Sequence, residues 1–266
     1  MEKKSNYIIT SQDNYAVKLY RNLSKYKKIR RETGLFVFEG TRLLQEAFAE
    51  NLTIKNLLIS ESEFFKVEST LTEKIPPSKI IKISDTLAEK ISLNKTPQGI
   101  FAICENPVKM FNINENGKYL ILSSLQDPGN VGTLLRTADA LGADGVFLVN
   151  CAELFSPKVI KSAMGAAFRL NVFETENETD LFSQLQTGGI KLNAAVIDDS
   201  AQNVKKVNFE GGQAIVLGNE GAGLLPQIAE KCDRKIMIKM NGNANSFNVS
   251  QAGCILLWEM LKDYTL

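Results

Sequence analysis

Three stretches carry the side chains most able to do chemistry. DPGNVGTLLRTADALG, residues 127–142, holds Asn130 and Arg136. GNEGAG, residues 218–223, holds Asn219 and Glu220 among its glycines. NGNANSFNVSQAG, residues 241–253, holds Asn241, Asn243, Asn245 and Asn248 with Ser246 and Ser250. The 266-residue chain has no histidine. That excludes a Ser-His-Asp triad and imidazole metal ligands, so any proton transfer must use Arg, Lys, Glu, Asp, Tyr, water or the substrate. Cys104, Cys151, Cys232 and Cys254 have no CxxC spacing. They are expected to be reduced and mostly buried, in a cytoplasmic protein without a metal centre.

Each stretch has a local reading. In the first, a Pro-Gly turn leads into a helix expected to begin near Asn130, with Val131, Leu134, Leu135, Ala138 and Leu141 packing inward. Arg136 lies off that stripe, near a helix start where the dipole does not favour a cation. In the second, the glycines run GxxGxG, the reverse of the dinucleotide fingerprint, which disfavours a nicotinamide enzyme. They imply close backbone approach. Glu220 would repel a phosphate and suits a cationic or hydroxyl-bearing partner. The third stretch precedes the apolar CILLWEMLKDY. It reads either as a turn with a helix cap or as backbone against a ligand. Together the three describe a neutral or zwitterionic ligand held largely by backbone groups in a tight crevice.

These loops need strands to position them. After residue 117 the chain alternates strands (YLILSSL, GVFLVN, RLNVFE, KLNAAVID, QAIVLG, KIMIKM) with helices at 131–141, 157–165, 178–187, 222–230 and 249–263. Apolar strands of this kind imply a parallel sheet covered by helices, whose ligand end is the carboxyl end of the strands. Four segments are expected: a basic N-terminal extension (1–33), a small α/β domain (34–105), a linker (106–117) and a larger α/β domain (118–266). No apolar run is long enough for a membrane span. Net charge is only +1, but Lys18, Arg21, Lys25, Lys27, Lys28, Arg30 and Arg31 fall in one acid-free segment with Tyr20 and Tyr26 interleaved. That segment is either an RNA or DNA contact, with tyrosines stacking on bases, or a solvated helix face.

The motifs resemble the SpoU (TrmH) class of RNA ribose 2′-O-methyltransferases in the SPOUT superfamily. DPGNVGTLLRTADALGADGVFL, IVLGNEGAGL and NSFNVSQAGCILLWE match in the family's order, with SPKVIKSAMGAAFRL between the first two. LFVFEGTRLLQEA resembles the start of the small substrate-binding domain of rRNA-acting members. The resemblance implies an α/β protein: a parallel-sheet SPOUT domain with a C-terminal trefoil knot, preceded by a ribosomal-protein L30e-like domain. Periodicity would not suggest a knot.

The resemblance also implies roles. Backbone at Gly218, Ile238 and Phe247 would hold S-adenosylmethionine (SAM), with Leu217, Asn219, Met240 and Ser246 as neighbours. Arg136 would activate the ribose hydroxyl, supported by Asn130, Glu220, Ser246 and Asn248. The substrate would be RNA, with 23S rRNA favoured over tRNA by the small domain. The last helix would help form a homodimer. A fold retained only for RNA binding is the competing reading, and the intact Arg136, Glu220 and Asn248 argue against it. The family usually has proline where this chain has Lys239 and leucine where it has Phe247; both positions touch the cofactor pocket.

Overall fold

The computed structural model describes residues 7–72, 74–110, 112–243 and 245–264. The chain forms two compact units, Met1–Val108 with Phe155–Pro157, and Lys109–Leu154 with Lys158–Leu266.

The first unit opens with α1 (Tyr15–Lys25) and α2 (Lys27–Thr33). The Asn14 side chain caps α1 by accepting from Ala16 N at 2.9 Å, and Tyr26 in extended backbone separates the two helices. Gly34, at φ 63°, ends α2 as its sequence position suggests. Then follow β1 (Leu35–Glu39), α3 (Thr41–Ala49), β2 (Ile54–Ser60), α4 (Glu61–Thr72), β3 (Ile80–Ile83), α5 (Asp85–Ile91) and β4 (Ile100–Glu105). The sheet order is β1-β4-β2-β3; β4 is antiparallel to β1 and β2, and β2 is parallel to β3.

The N-terminal segment is part of this fold. Ala16, Val17, Tyr20 and Leu23 recur at helical spacing, and all four are buried, the last three completely. Tyr20 meets Phe101 edge-on at 5.3 Å between ring centroids, so it is closed to nucleobases. Arg30 is 5% exposed, its Nη1 donating to the carbonyl of Leu23 near the end of α1, and leaves the set of exposed cations. The side chain of Thr41 does not cap α3; Gly40, at φ 113°, holds that position.

The second unit contains β5 (Lys118–Ser123), α6 (Pro128–Ala140), β6 (Gly145–Val149), α7 (Pro157–Ala163), α8 (Ala166–Arg169), β7 (Val172–Thr175), α9 (Glu178–Thr187), β8 (Lys191–Ala195), β9 (Gln202–Asn203), β10 (Gln213–Leu217), α10 (Pro226–Ala229), β11 (Arg234–Met237) and α11 (Val249–Leu261). Its sheet runs β7-β6-β5-β10-β8-β11-β9 and is parallel throughout, as the apolar strands imply. From β5 the chain steps outward through β6 and β7 on one side, while β10 begins the other side. The order therefore reverses between β5 and β10, and beyond their carboxyl ends lies the place where such sheets hold a ligand crevice.

Several element ends differ from expectation. Helix α6 starts at Pro128 rather than near Asn130, because Asp127 is its cap and proline is pre-set for the first helical turn. Helix α10 spans only Pro226–Ala229, since the glycine-rich loop occupies the residues before it. The stretch expected as a linker is tied down: Lys109 Nζ donates to the carbonyls of Phe168, Arg169 and Leu170, and Asn114 N donates to Tyr119 Oη at 2.8 Å. Gly253 brings α11 close to α6 and β10, where an added Cβ would lie 2.3 Å from Leu134 Cδ2 and 2.8 Å from Leu217 Cδ1.

Candidate active site

The crevice is built by the loops after β5, β6 and β10. Ser124 leaves β5 at φ 62°, its N–H donating to the Val149 carbonyl at 2.8 Å, and Asn150 leaves β6 at φ 51°. Asp127 Oδ1 accepts from Asn130 N at 2.8 Å and starts α6. The loop after β10 then closes over this turn. Glu220 Oε1 accepts from Asp127 N at 3.0 Å and from Asn130 Nδ2 at 3.3 Å, and Oε2 accepts from Gln126 N at 3.3 Å.

Asn219 braces the same loop. Its Oδ1 accepts from Gly221 N at 2.9 Å and Ala222 N at 3.1 Å, while Nδ2 donates to the Ser124 carbonyl at 2.9 Å. Asn219 and Gly223 also exchange two backbone hydrogen bonds, each 2.9 Å. Gly218 is required by this closure, since a Cβ there would lie 2.2 Å from Leu224 N and 2.3 Å from Gly223 O. Burial pushes the Glu220 carboxyl up, but the N–H groups aimed at it outweigh that and hold it below its ordinary value. The loop is thus pinned by an ionised carboxylate whose acceptor positions are used within the protein.

Asn130, Asn219 and Glu220 therefore meet, and the other expected residues lie around them. Leu217 is buried at the end of β10. Ile238 and Met240 are half-buried beyond β11, while Ser246, Phe247 and Asn248 are exposed. Asn248 caps α11, its Oδ1 accepting from Ser250 N at 2.9 Å and Ser250 Oγ at 2.6 Å. No hydrogen bond among the described residues joins 245–248 to the Glu220 cluster.

Arg136 lies about 9 Å further along α6 than Asn130, at 1.5 Å per residue. It is exposed and pairs with no described residue. It lines an open groove of about 600 Å³ between α6 and α11, with Thr133, Thr137, Cys254, Ile255 and Trp258.

The cysteines are free, and Cys104 alone is fully buried. Burial raises the Cys151 thiol to about 11, and its Sγ donates to the Leu122 carbonyl at 3.1 Å, so it is no thiolate nucleophile. No group of acidic, cysteine or histidine side chains that could hold a metal occurs among the described residues.

Sequence reasoning missed Ser124, Gln126, Asp127 and Asn150. The Asp-Pro pair before a periodic apolar run was a readable cap signal for Asp127. The left-handed backbone of Ser124 and Asn150 has no such signature.

The comparisons with known proteins follow this architecture. Residues 117–258 match the SpoU rRNA Methylase family, and residues 14–102 match an MRM3-like substrate binding domain. The chain is 31% identical over 253 residues to the 23S rRNA (guanosine(2553)-2′-O)-methyltransferase RlmP of Bacillus subtilis, covering 95% of this chain and 98% of that protein. An rRNA methyltransferase from Sinorhizobium meliloti superposes with a TM-score of 0.85 at 26% identity, covering 98% of this chain and 99% of the other. An AdoMet-bound rRNA methyltransferase from the same organism gives 0.83, with the same identity and coverage. The family match spans more than half of the chain and the relatives align over nearly all of it, and the chain belongs to the SpoU rRNA methylase family.

Proposed function

We propose that this chain methylates a ribose 2′-hydroxyl of RNA with SAM as donor, and that large-subunit rRNA is its substrate. The observation that carries the reading is the Glu220 clamp on the start of α6, the helix that further along carries an exposed, unpaired Arg136. Family membership supplies the reaction class.

The residues present fit SAM. A Cβ added at Gly223 or Gly242 would meet nothing within 4 Å, so the backbone at these positions stands open. The carboxylates at this turn, Asp127 and Glu220, suit a sulfonium cation and not a phosphate. Gly218, Ile238 and Phe247 would hold the cofactor through backbone groups, beside Leu217, Asn219, Met240 and Ser246. Bound there, SAM supplies an activated methyl group. The methyl group would pass from the sulfonium to the ribose oxygen, a C–O bond replacing the C–S bond, and the hydroxyl proton would go to water or an RNA phosphate. Arg136 stays protonated, and it lowers the cost of the negative charge developing on that oxygen. Asn130 and Glu220 keep the start of α6 in place, and Asn248 positions the loop before α11.

The same reading assigns a trefoil knot to the loops around β10, β11 and α11, an L30e-like fold to the first unit, a homodimer through the larger unit, and a cytoplasmic location. Lys18, Arg21, Lys25, Lys27, Lys28 and Arg31 are exposed or half-exposed on α1 and α2 and would follow RNA phosphates, with Tyr26, 54% exposed, available to stack. Lys18 already pairs with Asp13 at 2.9 Å. The test is binding and transfer together. SAM should bind where NAD does not, and label from its methyl group should appear on 23S rRNA and not on 16S rRNA or tRNA. Binding of NAD, or label on tRNA alone, would overturn the enzyme class or the substrate respectively.

A further inference from the structure

Helix α6 contains one acid, Asp139, three residues after Arg136. At that spacing two helical side chains are neighbours, with Cβ atoms about 5–6 Å apart, and an arginine and an aspartate can pair. Here they do not. Asp139 is taken from another direction: Arg169 Nη2 donates to Oδ2 at 2.7 Å, and Nε donates to Oδ2 at 3.1 Å and to Oδ1 at 3.4 Å. Arg136 is left exposed, with no partner among the described residues.

Arg169 has a fixed mount. It is the last residue of α8, a one-turn helix entered through two left-handed residues, Met164 at φ 52° and Gly165 at φ 93°. The end of that helix is held by Lys109 Nζ, which donates to the carbonyls of Phe168, Arg169 and Leu170. The Arg169 and Asp139 side chains are 35% and 21% exposed, so the pair is partly shielded from water. A planar guanidinium that touches both oxygens of a carboxylate leaves it few directions in which to turn.

We propose that Arg169 is a positioning residue for methyl transfer: by holding Asp139 it keeps that acid off Arg136 and leaves the Arg136 charge for the ribose oxygen. This rests on the methyltransferase reading and on the role given there to Arg136. An arginine paired with a carboxylate on its own helix brings a neutralised charge to a developing oxyanion, and must break the pair before it can act. The alternative, a plain tie between α8 and α6, behaves differently. Losing either partner breaks a tie equally. Where the pair restrains an acid, only loss of the arginine is harmful, because loss of the acid removes what had to be restrained.

The test compares Arg169→Met, Asp139→Asn and the double variant in the full-length protein, with unmodified 23S rRNA as acceptor. Read on the same samples are kcat at saturating SAM and RNA, SAM affinity and the thermal melt. Arg169→Met should lower kcat about three- to fivefold, the upper range for an accessible ion pair, with SAM affinity unchanged. Asp139→Asn should stay within about 1.5-fold of native, and adding it to Arg169→Met should restore kcat to that level. Equal losses in the two single variants without rescue in the double make the pair a tie and overturn the assignment, as does an unchanged kcat in Arg169→Met. Where Arg169→Met does not melt as a folded protein, Arg169→Gln, which keeps a donor and loses the charge, takes its place. Absence of transfer by the native protein to any RNA overturns the methyltransferase reading, and transfer that survives in Arg136→Ala overturns the role of that arginine and the proposal with it. Both results are distinct from a failed rescue.

Discussion

Glu220 is the residue on which the crevice closes, and its chemistry is that of an ionised acceptor. The N–H groups around it hold its carboxyl below the ordinary range, so the clamp is intact above the unfolded value of about 4.3 and is lost only as pH falls through the lowered folded value. SAM affinity is therefore expected to be flat from about pH 6 to 8, and a binding transition near neutrality that disappears in Glu220→Gln would contradict this role. Glu220→Ala should cost less than about 1 kcal/mol of stability, since water can replace an exposed acceptor, yet reduce transfer sharply; thermal melts and turnover on the same sample decide it. The identity of Glu220 and Arg136 as candidates was readable from their motifs. The partners were not: that the carboxylate would be consumed by Gln126, Asp127 and Asn130 depends on two loops 90 to 94 residues apart in the chain.

Among the elements, the turn after β10 is where backbone shape matters most. Gly218→Ala would drive a methyl group into the backbone of Gly223 and Leu224, with no flexible side chain to give way. The variant should lose about 1–3 kcal/mol of stability and weaken SAM binding at least tenfold by calorimetry; near-native affinity would remove this turn from the cofactor site. Helices were legible where apolar spacing and caps agree, and α9 spans Glu178–Thr187, as its pattern implies. Expectation and structure part at loop-rich ends. The Asp-Pro cap moves the start of α6 forward, and the glycine loop removes the first turn expected of α10. Strand β9, at two residues, is too short to show any period.

At the scale of the whole molecule, the chain forms two α/β units. The parallel sheet of the second was legible because its strands are apolar on both faces. The N-terminal segment was misread as an appended extension: charge dominates its composition, while the Val17–Tyr20–Leu23 stripe that buries it occupies few positions. Its exposed cations still make a prediction. Replacing Lys25, Lys27, Lys28 and Arg31 with alanine should weaken RNA binding at every sequence and lower the slope of log affinity against log salt by about 0.7–0.9 per lost phosphate contact, with SAM affinity unchanged. An unaltered slope would make α1 and α2 a solvated face. The most direct test of the account is mapping of labelled methyl transfer to unmodified 23S rRNA by the native protein and by Arg136→Ala. One ribose should become protected from alkaline cleavage, and transfer should fall by about a hundredfold or more in the variant with SAM still bound. Transfer that survives in Arg136→Ala, or label that lands on a base instead of a ribose, would contradict it.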